Sequence, residues 1–122
     1  MFIRSWRGYF SPCVRARKNY AMPALLIVNE TITDPELFEE YKRAVVPTLK
    51  KFGGRFLARG AALEVLETSP TWSPDRLVIV EFPDMKALKA WYNSPDYAPT
   101  REIRLRSATS TMVALESTPV SP

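Results

Sequence analysis

Four consecutive apolar residues, Leu77-Val78-Ile79-Val80, limit what this chain can fold into more than any other feature. A strand with one wet face alternates apolar and polar side chains, so an unbroken apolar run belongs to a sheet covered on both sides. The run opens a longer unit, Arg76 to Tyr97. It reads as a buried strand, a turn through Pro83 and Asp84, and a helix carrying Trp91 and Tyr92. The same plan occurs earlier in the chain. Leu25 to Val28 is followed by Asp34 and by a helix bearing Phe38 and Tyr41.

Between and around these units the remaining elements fall in order. Ala24 to Asn29 is the first strand. Thr33-Asp34-Pro35-Glu36 starts a helix, with Asp34 or Thr33 as N-cap and Pro35 in the first turn. Leu37, Tyr41, Val45 and Leu49 recur every four residues, which carries an amphipathic helix to about Phe52. Pro47 lies inside it and predicts a kink, and Gly53-Gly54 ends it. Arg55 to Arg59 is a second strand, with Arg55, Leu57 and Arg59 on one face and Phe56 and Ala58 on the other. Gly60 marks a bulge or turn, and the alternation of Leu63 to Glu67 predicts that the strand resumes before a loop from Thr68 to Asp75. After the central unit, Ser94-Pro95-Asp96 caps a last helix over Tyr97 to Arg106, and Thr111 to Glu116 is the closing strand. The order β-α-β-β-α-β defines an α+β, ferredoxin-like fold: an antiparallel sheet with its helices on one face.

That arrangement leaves the other face of the sheet to be explained. Exposing half of the side chains of LLIV, LVIV and MVAL would leave about six apolar groups wet. At roughly 1.5–3 kcal/mol each, this forfeits on the order of 10 kcal/mol. A domain of this size has only ~5–15 kcal/mol of net stability. Two copies packed sheet to sheet about a two-fold axis remove the conflict, so a homodimer through the sheet face is expected. The competing expectation is that the third helical segment or the N-terminal residues cover that face.

Charge and composition narrow the function classes. The net charge of +4 is concentrated at the start: five of the 17 basic residues precede Met22, where there is no Asp or Glu. The 12 others face 13 acidic residues, so the folded part has no basic stripe and nucleic-acid binding is disfavoured. No apolar stretch reaches the length of a membrane span. Cys13 is the single cysteine, which leaves no internal disulfide and makes a reducing, cytoplasmic setting the default. There is no histidine, which removes the usual general base and the commonest metal ligand, so no metal or cofactor is expected. Residues 1–21 read as a basic N-terminal extension. They partly resemble a transit peptide, but the preferred reading is that translation begins at Met22. The domain is placed at 22–117 and a loose tail at 118–122.

YKRAVVPTLKKFGGRFLARG, LEVLE, RLVIVEFPDMKALKAWYNSPDY and REIR together resemble the DUF1330 family, over Met22 to about Ser117. The resemblance implies a dimeric α+β barrel. That group includes cofactor-free monooxygenases, muconolactone isomerase-like enzymes, haem-degrading enzymes and proteins without an assigned reaction, so it constrains shape more than activity.

Several residues are candidates for chemistry, each with a structural reading beside it. Arg55 and Arg59 would clamp the anionic group of a small ligand, or form ion pairs with Glu64, Glu81 or an acid across a dimer. Similarity to the family's GGRFLxRG segment makes Arg59 the preferred anion contact. Tyr41, Trp91, Tyr92 and Tyr97 would line an aromatic pocket, or are core at helical spacing. Asn29, ending an apolar strand, needs a polar partner and either meets the ligand or pins a loop. Ser94 is a ligand contact or a helix cap. Glu64 and Glu81 are the strand carboxylates near the expected pocket, and Glu64 or Tyr41 would handle a proton. The chain is therefore expected to bind a small anionic organic molecule and is a candidate to transform it. The alternatives are a non-catalytic structural or sensory dimer, and a cofactor-free monooxygenase or isomerase-like enzyme.

Overall fold

A computed structural model describes residues 22–118, so the readings of residues 1–21, of Cys13 and of the last four residues lie outside the described residues. The elements follow in the order β1 (Ala24–Ile32), α1 (Pro35–Lys51), β2 (Arg55–Arg59), β3 (Leu77–Phe82), α2 (Met85–Tyr92), α3 (Ala98–Ser107) and β4 (Ala108–Glu116). The four strands form one antiparallel sheet in the order β2-β3-β1-β4, the ferredoxin-like arrangement expected from the sequence.

Both main helices start on an aspartate. Asp34 and Asp84 have extended backbones, and their carboxylates accept from Leu37 N at 3.2 Å and Ala87 N at 2.7 Å. Each satisfies an amide that the first turn leaves unpaired. Pro47 sits within α1, which runs through it to Lys51 and ends at Gly53, whose φ of 81° suits a glycine. The helices lie on the same side of the sheet. Phe38, Val45 and Leu49 of α1 and Leu88 and Trp91 of α2 share one core with Leu26, Val28, Val78, Val80 and Phe82. Trp91 is anchored at its polar edge, where Nε1 donates to Thr48 Oγ1 at 3.0 Å.

The other sheet face carries Leu25 opposite Leu115, and Ile27 between Val113 and Ile79. Leu25, Ile27, Leu77 and Ile79 are half-buried, whereas Val113 and Leu115 are 52% and 49% exposed. α3 does not cover this face. It packs on the helix side, where Arg104 Nε and Tyr41 Oη both reach the phenol oxygen of Tyr97.

Three local expectations need correction. β1 runs to Ile32 rather than stopping at Asn29, because β4 begins at Ala108 and pairs with those extra residues. Leu63 to Glu67 is not a strand: β2 pairs only with β3, which has no residue before Leu77 to continue the ladder. Gly60, read as a bulge or turn, is a bend with φ of 65° just past β2, and a bulge lies between Phe56 and Ala58, so Arg55 and Arg59 do not share a face as expected.

Candidate functional site

The site starts from the phase of β1. Ala24, Leu26 and Val28 point at the helices, and the next residue in that phase is Glu30, 3% exposed. A carboxylate so placed needs a partner, and Arg76 Nη1 donates to Glu30 Oε1 at 2.6 Å. Backbone pairing fixes the two together, since Glu30 N donates to Arg76 O at 2.9 Å. The Arg76 guanidinium lies 5.2 Å from the Phe38 ring centre. Its other neighbour is Gly60, with φ of 65°, where a Cβ would run into the guanidinium. Glycine is required there both by backbone and by room. Burial pushes the Glu30 carboxyl above its ordinary range, against the opposing pull of Arg76 and, more weakly, Arg104.

A second polar group adjoins the first. Arg104, 5% exposed on α3, donates from Nε to Tyr97 Oη at 3.2 Å, and Tyr97 Oη lies 3.1 Å from Tyr41 Oη. Burial and the Tyr97 neighbour push the Tyr41 phenol far up, so that it stays protonated and serves as a donor rather than a base. For Arg104, burial works against the charge, but Tyr97, Tyr41 and Glu30 outweigh it and hold the guanidinium protonated.

Between α1 and the sheet lies a cavity of about 30 Å³, with walls that include Val28, Val45, Phe56, Val80 and Trp91 and with Glu30 and Arg76 at its polar end. At roughly 10–15 Å³ per water, this is space for about two waters. It adjoins an open depression of about 550 Å³ lined by Lys42, Arg43, Arg59 and Arg76, with Glu39 at the rim. Lys42, Arg59 and Arg76 border both spaces. The bulge in β2 puts Arg59 there: it turns Arg59 to the helix side opposite Val78, over the Phe56 ring at 4.3 Å, with Nη2 donating to Lys42 O at 2.6 Å.

The expected site residues therefore divide. Arg59, Tyr41 and Trp91 border the cavity, and Tyr97 holds Tyr41 from behind. Arg55 is on the opposite face, paired through Nε with Glu81 Oε1 at 3.1 Å, so Glu81, 2% exposed, is also turned from the cavity. Asn29 lies on that opposite face too, and its Oδ1 accepts from Asp75 N at 3.0 Å, which pins the loop before β3. Ser94 donates to Trp91 O at 2.7 Å and accepts from Tyr97 N at 3.1 Å, a linker between α2 and α3. Glu64 is exposed on the β2–β3 connection, not on a strand, and does not border the cavity. Glu30, Arg76 and Arg104 were missed. The shared parity of Leu26, Val28 and Glu30 was the available signal, hidden by ending β1 at Asn29. Among the described residues no cluster of three His, Cys, Asp or Glu side chains is placed to hold a metal ion. No helix among them is long and apolar enough to cross a membrane.

Fold and cleft together describe a ferredoxin-like α+β protein with an apolar cavity between its helices and sheet. Residues 23–118 match the model of the domain of unknown function DUF1330, and the chain belongs to that family. No curated protein matches it in sequence. Among solved structures, a protein of unknown function from Rhodopseudomonas palustris is 19% identical, with a TM-score of 0.68 over 91% of this chain and 92% of that one. SnoaB, a cofactor-independent oxygenase from Streptomyces nogalater, is 15% identical, with a TM-score of 0.57 over 84% and 99%. A dimeric protein of unknown function with a ferredoxin-like fold from Bacteroides fragilis is 13% identical, with a TM-score of 0.51 over 81% and 99%. At these identities the likeness is one of fold.

Proposed function

We propose that this chain works as a homodimer and that each copy binds a small organic anion with an apolar body in the cleft between α1 and the sheet. The observation that carries the binding reading is the join between two spaces. An apolar cavity opens beside a depression bearing Lys42, Arg43, Arg59 and Arg76, with Glu39 as its bordering carboxylate. A carboxylate or phenolate head suits Arg59 and Lys42, and an aromatic or branched aliphatic body suits the walls. The cavity is smaller than such a guest, so binding moves side chains at the mouth. Arg59 is the natural hinge, since among the described residues its side chain is held by a hydrogen bond to a backbone carbonyl. Dimerisation is supported by the apolar open face of the sheet, and the Bacteroides fragilis relative in fold is itself described as dimeric.

The test is a thermal-shift titration with small aryl and branched carboxylates. Stabilisation by some of them, lost in Arg59→Ala, is expected, and a flat response across the series at millimolar concentration overturns the binding reading. A second reading is oxygenation of a bound phenol without cofactor. It is favoured by the aromatic lining of Phe38, Tyr41, Phe56 and Trp91, and the Streptomyces nogalater protein of the same fold is described as such an oxygenase. It predicts oxygen uptake with a phenol in a metal-free preparation, and an electrode trace at baseline removes it.

A further inference from the structure

The cavity contains a carboxylate that anion binding does not need. Glu30 sits at the inner end of a cleft whose mouth is basic, and an anionic guest gains nothing from a buried negative charge there. As a purely structural counter-ion for Arg76 it is oddly equipped. The hydrogen bond between them runs from Nη1 to Oε1, not through a two-pronged fork, which leaves Oε2 as the oxygen available to a guest. Directly across the ladder from Glu30 is Ser110, whose buried Oγ has no hydrogen-bond partner among the described residues. Paired residues on neighbouring strands share a face with Cβ atoms about 5 Å apart, so this hydroxyl lies beside the carboxylate on the helix side of the sheet, outside the cavity walls.

We propose that Glu30 is the proton-accepting residue of a cofactor-free reaction on a small carboxylic acid carrying a C–H made acidic by an adjacent carbonyl, such as an aryl 2-oxo acid. This rests on the binding reading above. Arg76 borders both the mouth and the cavity and holds Glu30, so a single guanidinium separates the seat of the anion from the base. With the carboxylate of the guest on Arg59 and Lys42, its apolar body enters the cavity beside Glu30. The C–H bond breaks, its proton passes to Oε2, and its electron pair moves into the C–C bond as the carbonyl oxygen becomes the enolate oxygen. When the Glu30 proton exchanges with water before a hydron returns to carbon, the net change is solvent exchange; when it passes to the enolate oxygen, the net change is keto–enol isomerisation, and no oxidant or reductant is consumed.

The charged and titratable groups around Glu30 are Arg76 just before β3, Arg104 of α3, the Tyr41 phenol of α1 with Tyr97 behind it, and Lys42 and Arg59, which border the same cavity. The Tyr41 phenol, pushed up by burial, stays neutral in the working range, and the carboxylate is the group whose ionisation governs the rate. Burial raises it and so strengthens it as a base, while Arg76 opposes that rise.

Phenylpyruvate is the probe: it has an apolar ring, a carboxylate and an exchangeable methylene. Loss of the methylene proton signal is followed in heavy water with the full chain, beside a thermal-shift measurement of the same probe. Exchange above the buffer rate is expected, with an inflection above the ordinary glutamate range. Glu30→Gln is expected to lower it at least about a hundredfold while the thermal shift persists. Because Glu30→Gln leaves Arg76 without a counter-charge, Glu30→Asp provides a folded control that keeps the ion pair and withdraws the oxygen by one methylene. Its exchange is expected to fall at least tenfold. Absence of any thermal shift from phenylpyruvate or the other acids overturns the binding reading and this inference with it. A shift without exchange, or exchange at the wild-type rate in either Glu30 variant, overturns this inference alone.

Discussion

A glutamate that is buried, paired and yet raised in pKa leaves a signature in stability that an ordinary carboxylate does not. The folded chain holds the Glu30 proton more tightly than the unfolded chain, whose glutamates titrate near 4.5. Below that value both states are protonated and the contribution of Glu30 to stability is complete. As pH rises through its folded value the contribution is lost. Glu39, on the surface beside Lys42, is lowered and has the opposite slope, so the effect is read as a difference. The stability of the wild type minus that of Glu30→Gln, from urea unfolding, is expected to shrink as pH rises from about 4 to 8, and a constant or growing difference contradicts it. Thr48 supplies a simpler case. Thr48→Val leaves the buried Trp91 indole N–H unpaired and is expected to cost about 1–3 kcal/mol, with Thr48→Ser close to wild type, both by urea unfolding. Neither role was legible in sequence. Thr48 reads as one more helix residue, and Glu30 gains its meaning only when β4 extends β1 past Asn29 and keeps it in phase with Val28.

At the scale of elements, what could be read were features written in adjacent residues. Asp34 and Asp84 announce their helices because an N-cap is local chemistry, and Asp84→Ala is expected to cost about 1 kcal/mol in thermal or urea unfolding by freeing Ala87 N. What could not be read depended on a partner strand. Leu63 to Glu67 alternates as well as β2 does, but β3 begins at Leu77 and offers it nothing to pair with. The bulge at Leu57 is likewise a property of two strands, and it decides the site, because strict alternation would have left Arg59 beside Arg55 on the far face. Deleting Leu57 removes the bulge but keeps Ala58 opposite Ile79 and Arg59 opposite Val78, so Arg59 stays on the helix side. The deletion is expected to retain the thermal shift given by small carboxylates and the far-ultraviolet circular dichroism of a folded α+β chain. A ligand response lost in a folded deletion variant would show that the bulge does more than orient Arg59.

For the whole molecule, the two faces of one sheet set different requirements. The helix-side face closes over its own core, with Phe38, Phe82 and Trp91 essentially inaccessible. The other presents Leu25 beside Leu115 and Ile27 beside Val113 and Ile79, a contiguous apolar strip across three strands. Patches of this kind on a lone subunit mark association, and a two-fold axis through the sheet lets the strip cover itself. β4 is an edge strand whose Val113 and Leu115 are half-exposed, so a charge introduced there disturbs the proposed interface while touching little of the subunit core. Wild-type chain is expected to sediment as a dimer at micromolar concentration, with a melting temperature that rises with protein concentration as mass action requires. Val113→Lys combined with Leu115→Lys is expected to sediment as a monomer, to melt lower, and to lose the concentration dependence. A wild-type chain that sediments as a single folded subunit with the same melting point at all concentrations would show that the strip is tolerated in water, and the dimer would have to be given up.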